Sequence, residues 1–149
     1  MAGWCYDNEE PIDRIMNSRT TAPTDTALVL LGHGSRDPLW RGPIESLAAR
    51  VTQLSPGMAV RCAYLEWANP DLAQAVEELL ALGHVRIRLL PLFFGMGKHA
   101  REDLPTLVQM LRDRHPGLLL TVLPSAGEQT AVIDLLAQVS LTLETPPIS

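Results

Sequence analysis

The stretch ALVLLGHGSRDP, residues 27–38, decides how the chain is read. Ala27–Leu31 is a short, continuously apolar run, closed by Gly32, and this suits a strand buried on both faces of a parallel sheet. Three further runs share its character: 59–65, 86–92 and 118–123, all short, rich in Leu and Val, and bounded by Gly or Pro. Pro91 has no amide to donate, so regular pairing is expected to weaken beside it.

Between the runs the apolar period changes to that of a helix. Ile44, Leu47, Ala48, Val51 and Leu54 make one stripe; Leu72, Val76, Leu79 and Leu80 make a second. Asn69-Pro70 reads as the cap and first turn of the second helix, and Gly83 as its end. Leu104, Leu107, Val108 and Leu111 form a third stripe that stops near His115-Pro116-Gly117. Val132, Leu135, Leu136 and Val139 form a fourth. Strict alternation of strand and helix with short links implies right-handed crossovers. The expected fold is therefore α/β: a three-layer, doubly wound sheet of four mainly parallel strands in the order 2-1-3-4.

Composition narrows the function. The 149 residues suit one domain with a sizeable core, and a net charge of −5 disfavours a nucleic-acid surface. No apolar run approaches the roughly 18 residues that span a bilayer, so no membrane role is expected. Residues 1–25 hold Asp7, Glu9, Glu10 and Asp13 with no apolar core, and read as a flexible tail and not as a secretory signal. Residues 145–149 read as a frayed end, leaving 26–144 as the domain. Cys5 and Cys62 have no metal-type spacing, which fits reduced thiols in the cytoplasm.

In a doubly wound sheet, ligands bind beyond the carboxyl ends of the strands, near the point where strand order reverses. His33, Glu66 and His99 follow the first three strands at equal intervals of 33 residues, so all three should reach one edge. With strands 1 and 3 adjacent, His33 and His99 should face one another with Glu66 nearby. Such a His/His/Glu cluster suits Co²⁺, Ni²⁺ or Fe²⁺, and imidazole also accepts protons near neutral pH. Gly32 and Gly34 around His33, and Gly95 and Gly97 before His99, should let the backbone turn and approach a flat ligand. Ser35 or Asp37 should cap the following helix.

Three stretches taken together, LLGHGSRDP (30–38), YLEWANPDL (64–72) and LLPLFFGMGKHAREDLP (89–105), resemble the signatures of the sirohydrochlorin cobaltochelatase family of CbiX type. The resemblance covers residues 26 to 140 or so. It implies a chelatase-like fold and insertion of a divalent metal, Co²⁺, Fe²⁺ or Ni²⁺, into a reduced tetrapyrrole. It places the family's two histidines on His33 and His99 and its acidic residue on Glu66, as bases and metal ligands. It also implies a homodimer, as in the short members, and no cofactor beyond the metal that is inserted. Because such a substrate carries many carboxylates, Arg36, Arg41, Lys98 and Arg101, with Gly34 and Ser35, are its candidate binding residues. Trp40 and Trp67 are candidates for packing on the ring, or else for core or interface packing. Two features depart from the pattern: Gly-Met-Gly-Lys stands before His99, and the N-terminal tail is long. A non-catalytic tetrapyrrole or metal carrier using the same crevice is the alternative function. A hydrolase is disfavoured by the absence of a Gly-x-Ser-x-Gly elbow.

Overall fold

The computed structural model describes residues 25–142; the expected tail at 1–25, save its last residue, and the frayed end at 145–149 lie outside the described residues. Four strands, β1 (Thr26–Gly32), β2 (Val60–Tyr64), β3 (Arg86–Pro91) and β4 (Leu119–Val122), alternate with four helices: α1 (Gly42–Leu54), α2 (Leu72–Ala81), α3 (Lys98–Arg114) and α4 (Thr130–Leu141). All strand pairs are parallel, and the sheet runs β2-β1-β3-β4. The order is the expected one, and it makes the gap between the loops after β1 and β3 the switch point.

The two sheet faces are packed differently. Ala27, Val29 and Leu31 of β1 share a face with Ile87 and Leu89 of β3 and Leu120 of β4, and meet Leu72, Ala75, Val76 and Leu79 of α2 and Leu104, Val108 and Leu111 of α3. The opposite face, Leu28 and Leu30 with Cys62, Tyr64 and Leu90, meets Ile44, Ala48 and Val51 of α1. The α1 stripe is narrower than the sequence pattern suggests, since Leu47 and Leu54 are exposed.

Local chemistry explains the element ends. Asp71, not Asn69, caps α2: its carboxylate accepts from the Gln74 amide at 2.8 Å, and the Gln74 side chain accepts from the Asp71 amide at 2.9 Å. Asn69 and Pro70 lie outside the helix, joined by a cis peptide bond. Gly83, with φ +91°, ends the segment as expected. Pro91 comes where its missing amide is not needed. Leu89 is the last residue of β3 registered on β4, whereas the β1 ladder runs on to a hydrogen bond from the Leu92 amide to the Leu31 carbonyl. Alternation turns the Pro91 nitrogen toward the side that β4 has already left.

Two features differ from the sequence pattern. Helix α3 begins at Lys98, six residues before its apolar stripe, and continues through Pro105. Helix α4 forms, but none of its residues is buried; Leu135, Leu136 and Val139 stay exposed and the helix rests chiefly on the short 3-10 turn Ala126–Glu128. Among the described residues, no helix is long and apolar enough to cross a membrane.

Candidate active site

The loops after β1 and β2 are stitched together by main-chain bonds that extend the ladder past the strands. The Leu65 amide donates to Gly32 at 3.1 Å and the Glu66 amide donates to His33 at 3.0 Å. The approach is so close that a Cβ on Gly34 would overlap the Glu66 carbonyl, and Gly34 has φ +105°. Only glycine satisfies both conditions. The freedom of Gly34 is thus spent against the neighbouring loop and not on a ligand. Gly32 serves packing too, because a Cβ there would meet Ile44 and Trp40. Gly95 and Gly97 face open space and carry no such contact.

This stitching brings two side chains together at the carboxyl edge. His33 Nε2 lies 2.7 Å from Glu66 Oε1, and each side chain is about half exposed. A charge-assisted bond of this length fixes the imidazole, yet leaves both groups open to solvent and to a ligand. Phe93, buried just past β3, closes the other side with its ring 6.4 Å from that of His33, edge to face. Sequence reasoning passed over Phe93; its only signal was an aromatic residue where an apolar strand gives way to a loop.

Beside the pair stands a second one. The Arg36 guanidinium lies 3.9 Å from the centre of the Trp67 ring. Trp67 has φ +63°, a left-handed conformation that costs a bulky L-residue roughly 1–2 kcal/mol. Behind them, Arg41 lies over the Tyr64 ring at 5.5 Å, and Trp40 meets the same ring edge to face. Burial pushes the Tyr64 hydroxyl up from its ordinary pKa, and burial does the same to the Cys62 thiol, which is a packed side chain.

The remaining candidates are more dispersed. Ser35 Oγ accepts from the Asp37 amide, and Asp37 caps the 3-10 turn Pro38–Arg41 by accepting from Leu39 at 3.0 Å. Lys98 is exposed and 3.9 Å from Glu102 one turn on. Arg101 and Met96 line a cleft of about 830 Å³ that runs between α3 and the outer edge of β4.

His99 is exposed in the first turn of α3, and no three His, Cys, Asp or Glu side chains among the described residues are gathered to hold one ion. The compact three-ligand cluster expected from the even spacing is therefore not formed in this structure. The reason is that equal intervals in sequence are not equal distances from the strand ends. His33 comes one residue after β1 and Glu66 two after β2, whereas Leu92–Gly97 intervene between β3 and the helix that carries His99.

Comparison with known proteins gives the same outline. A curated sirohydrochlorin cobaltochelatase of Methanocaldococcus jannaschii is 35% identical over 89 residues, which is 60% of this chain and 62% of that protein. The sirohydrochlorin cobaltochelatase of Methanopyrus kandleri is 32% identical over 82 residues, 55% of this chain and 57% of that one. The aligned part thus spans about three-fifths of each relative's length. Among solved structures, a CbiX protein of Marinobacter aquaeolei VT8 superposes with a TM-score of 0.67 at 28% identity, covering 77% of this chain and 93% of that one. The sirohydrochlorin chelatase SirB of Bacillus subtilis subspecies spizizenii, solved in complex with cobalt, gives 0.64 at 20% identity over 76% of this chain and 48% of its own, a likeness of fold. The CbiX family model matches residues 27–142, from the first buried strand through α4. The chain belongs to the CbiX family.

Proposed function

We propose that this protein is a sirohydrochlorin chelatase, inserting Co²⁺, or Fe²⁺ or Ni²⁺, into the ring. The observation that carries the reading is the His33–Glu66 pair, 2.7 Å apart and half exposed, on the carboxyl edge of a CbiX-family sheet. The names of the curated relatives support the substrate.

The chemistry asks little of a protein. Two pyrrole N–H protons must leave, and the ion must exchange water for four ring nitrogens. In this reading His33 Nε2 donates to Glu66, so the pyrrole proton is accepted at Nδ1, and Glu66 both orients the imidazole and offsets the positive charge it gains. His99, opposite them across the switch point in strand order, serves as second base or as a passing ligand to the incoming ion. A site with few protein ligands releases the metal to the ring, where a closed four-ligand cage would retain it. Arg36, Lys98 and Arg101, with the Gly34–Ser35 turn, receive the ring's carboxylates. A chain of net charge −5 can take an anionic substrate in this way because the cations it uses are local, on the loop after β1 and at the start of α3. The metal is a substrate, and the reading requires no further cofactor.

The same reading pairs two copies and sets the reaction in the cytoplasm. Support for pairing comes from α4, whose Leu135, Leu136 and Val139 are exposed and whose one charge is Asp134. The cleft beside β4 is mostly apolar and carries Arg101 and Arg112 on its walls. In a two-fold pair the exposed apolar face of this helix would be set against the apolar cleft of the other copy, with Asp134 near its arginines. The free Cys62 thiol accords with a reducing compartment.

The test is spectral. Purified protein is mixed with sirohydrochlorin and each metal, and the ring absorbance is followed. Turnover beyond one equivalent separates an enzyme from a carrier of the same ligands. His33→Ala should lower the metal-insertion rate at least about 100-fold, the scale of lost acid–base catalysis, with an unchanged melting temperature. An unaltered rate removes His33 from the mechanism.

A further inference from the structure

We infer that Trp67 builds a subsite for a flat, carboxylate-bearing ring: it holds the Arg36 guanidinium in place at the rim and offers its own indole to the ring. The inference rests on the tetrapyrrole reading above and adds to it a residue and a way of binding.

Trp67 stands in a backbone conformation that its side chain disfavours. The left-handed region is open to Gly at no steric cost and to Asn at little, yet position 67 carries the bulkiest side chain of all at φ +63°. Burial does not offset that strain, because Trp67 is 57% exposed. What the side chain gains lies on the surface. Its ring receives the Arg36 guanidinium at 3.9 Å, and Arg36 makes no ion pair or side-chain hydrogen bond among the described residues. The guanidinium carries its five N–H donors in its own plane. A guanidinium held against a ring face keeps those in-plane donors available, the state in which a carboxylate can be taken in bidentate fashion.

Position decides what kind of carboxylate this serves. Trp67 adjoins Glu66 and Arg36 is three residues from His33, on two loops tied by the Glu66-to-His33 main-chain bond. A ligand anchored by a peripheral carboxylate on Arg36 is therefore held beside the group that accepts its proton. Small aliphatic acids would use the cation alone. A conjugated macrocycle also uses the uncovered part of the indole, which is apolar and flat. The stack thereby selects for a planar ring with acidic arms over an acidic molecule of any other shape.

Three variants of the full chain test this: Trp67→Ala, Trp67→Phe and Trp67→Gly. Binding of metal-free sirohydrochlorin is titrated through the ring's own absorbance, and steady-state insertion is measured alongside thermal melting. Trp67→Ala should raise the dissociation constant and KM about tenfold, with kcat within about twofold, the scale of one lost cation–π and stacking contact. Trp67→Phe, which keeps an aromatic face, should recover part of that loss. Trp67→Gly should bind as poorly as Trp67→Ala while melting at the same temperature or higher, because glycine removes the strain. A residue serving the fold alone would move melting and leave KM untouched. Equal binding by wild type and Trp67→Ala overturns the subsite and leaves the chelatase reading standing, as does a loss confined to kcat. No binding of sirohydrochlorin by the unaltered protein overturns both.

Discussion

Replacing Gly34 with alanine adds one methyl group and should disable the proposed chemistry more thoroughly than most changes to charged residues. The new Cβ would overlap the Glu66 carbonyl, a main-chain atom that no rotamer change can move aside, and φ +105° is itself costly for alanine. Relief requires the loops after β1 and β2 to separate. That breaks the 3.0 Å bond from the Glu66 amide to His33, worth about 1 kcal/mol, in addition to about 1–2 kcal/mol of backbone strain. A total of roughly 3 kcal/mol lowers the melting temperature by about 10 °C in a domain of this size. The separation also pulls His33 Nε2 and Glu66 Oε1 away from 2.7 Å, so insertion of metal should fall by about 100-fold, as when a catalytic base is misplaced. Gly97→Ala is the control, since a Cβ there meets nothing within 4 Å and the residue has φ −64°. Calorimetry and the absorbance assay are run on both. A Gly34→Ala protein that melts and turns over like the Gly97→Ala control refutes the claim that this contact sets the site.

Two further outcomes are expected elsewhere. Asp71→Ala removes one arm of the capping box on α2 and should cost about 1 kcal/mol in urea unfolding, with no effect on metal insertion beyond that of stability. Leu136→Lys, on the uncovered face of α4, should leave the melting of the single copy unchanged and shift the molecular mass in solution from two copies to one; a mass already equal to one copy in the unaltered protein discards the pairing.

The architecture was legible because its causes are local and repetitive. Continuous apolar runs between amphipathic stripes can be buried only as parallel strands under helices, and Ala27–Leu31 and Leu72–Leu80 each state that on their own. The expected strand order agrees with β2-β1-β3-β4, although no pattern of residues fixes it. The site was less legible. The sequence shows that His33 and Glu66 come soon after their strands, and the structure pairs them. It does not show how far a loop travels before its helix begins, and this is why His99 stands apart. Nor does a pattern of apolar residues disclose whether a stripe finds a partner within the same copy: α4 has the right period and buries nothing. The contact of Trp67 with Arg36 joins side chains from two loops, which no window of one sequence contains.

The glycine contacts at the rim also bear on how this surface can be remodelled. Gly34 against Glu66 locks the first two loops, and Gly127 against the main chain of Phe94 locks the last two in the same manner. The rim is thus made of two rigid jaws that meet along the β1–β3 seam. Lengthening the first or second loop would unseat its opposite member, so such changes must come in matched pairs. A Cβ on Gly95 or Gly97 would meet only open space, so these two positions are free to exchange residues singly. Variation in what the pocket accepts has its cheapest route there, beside an anvil that stays the same.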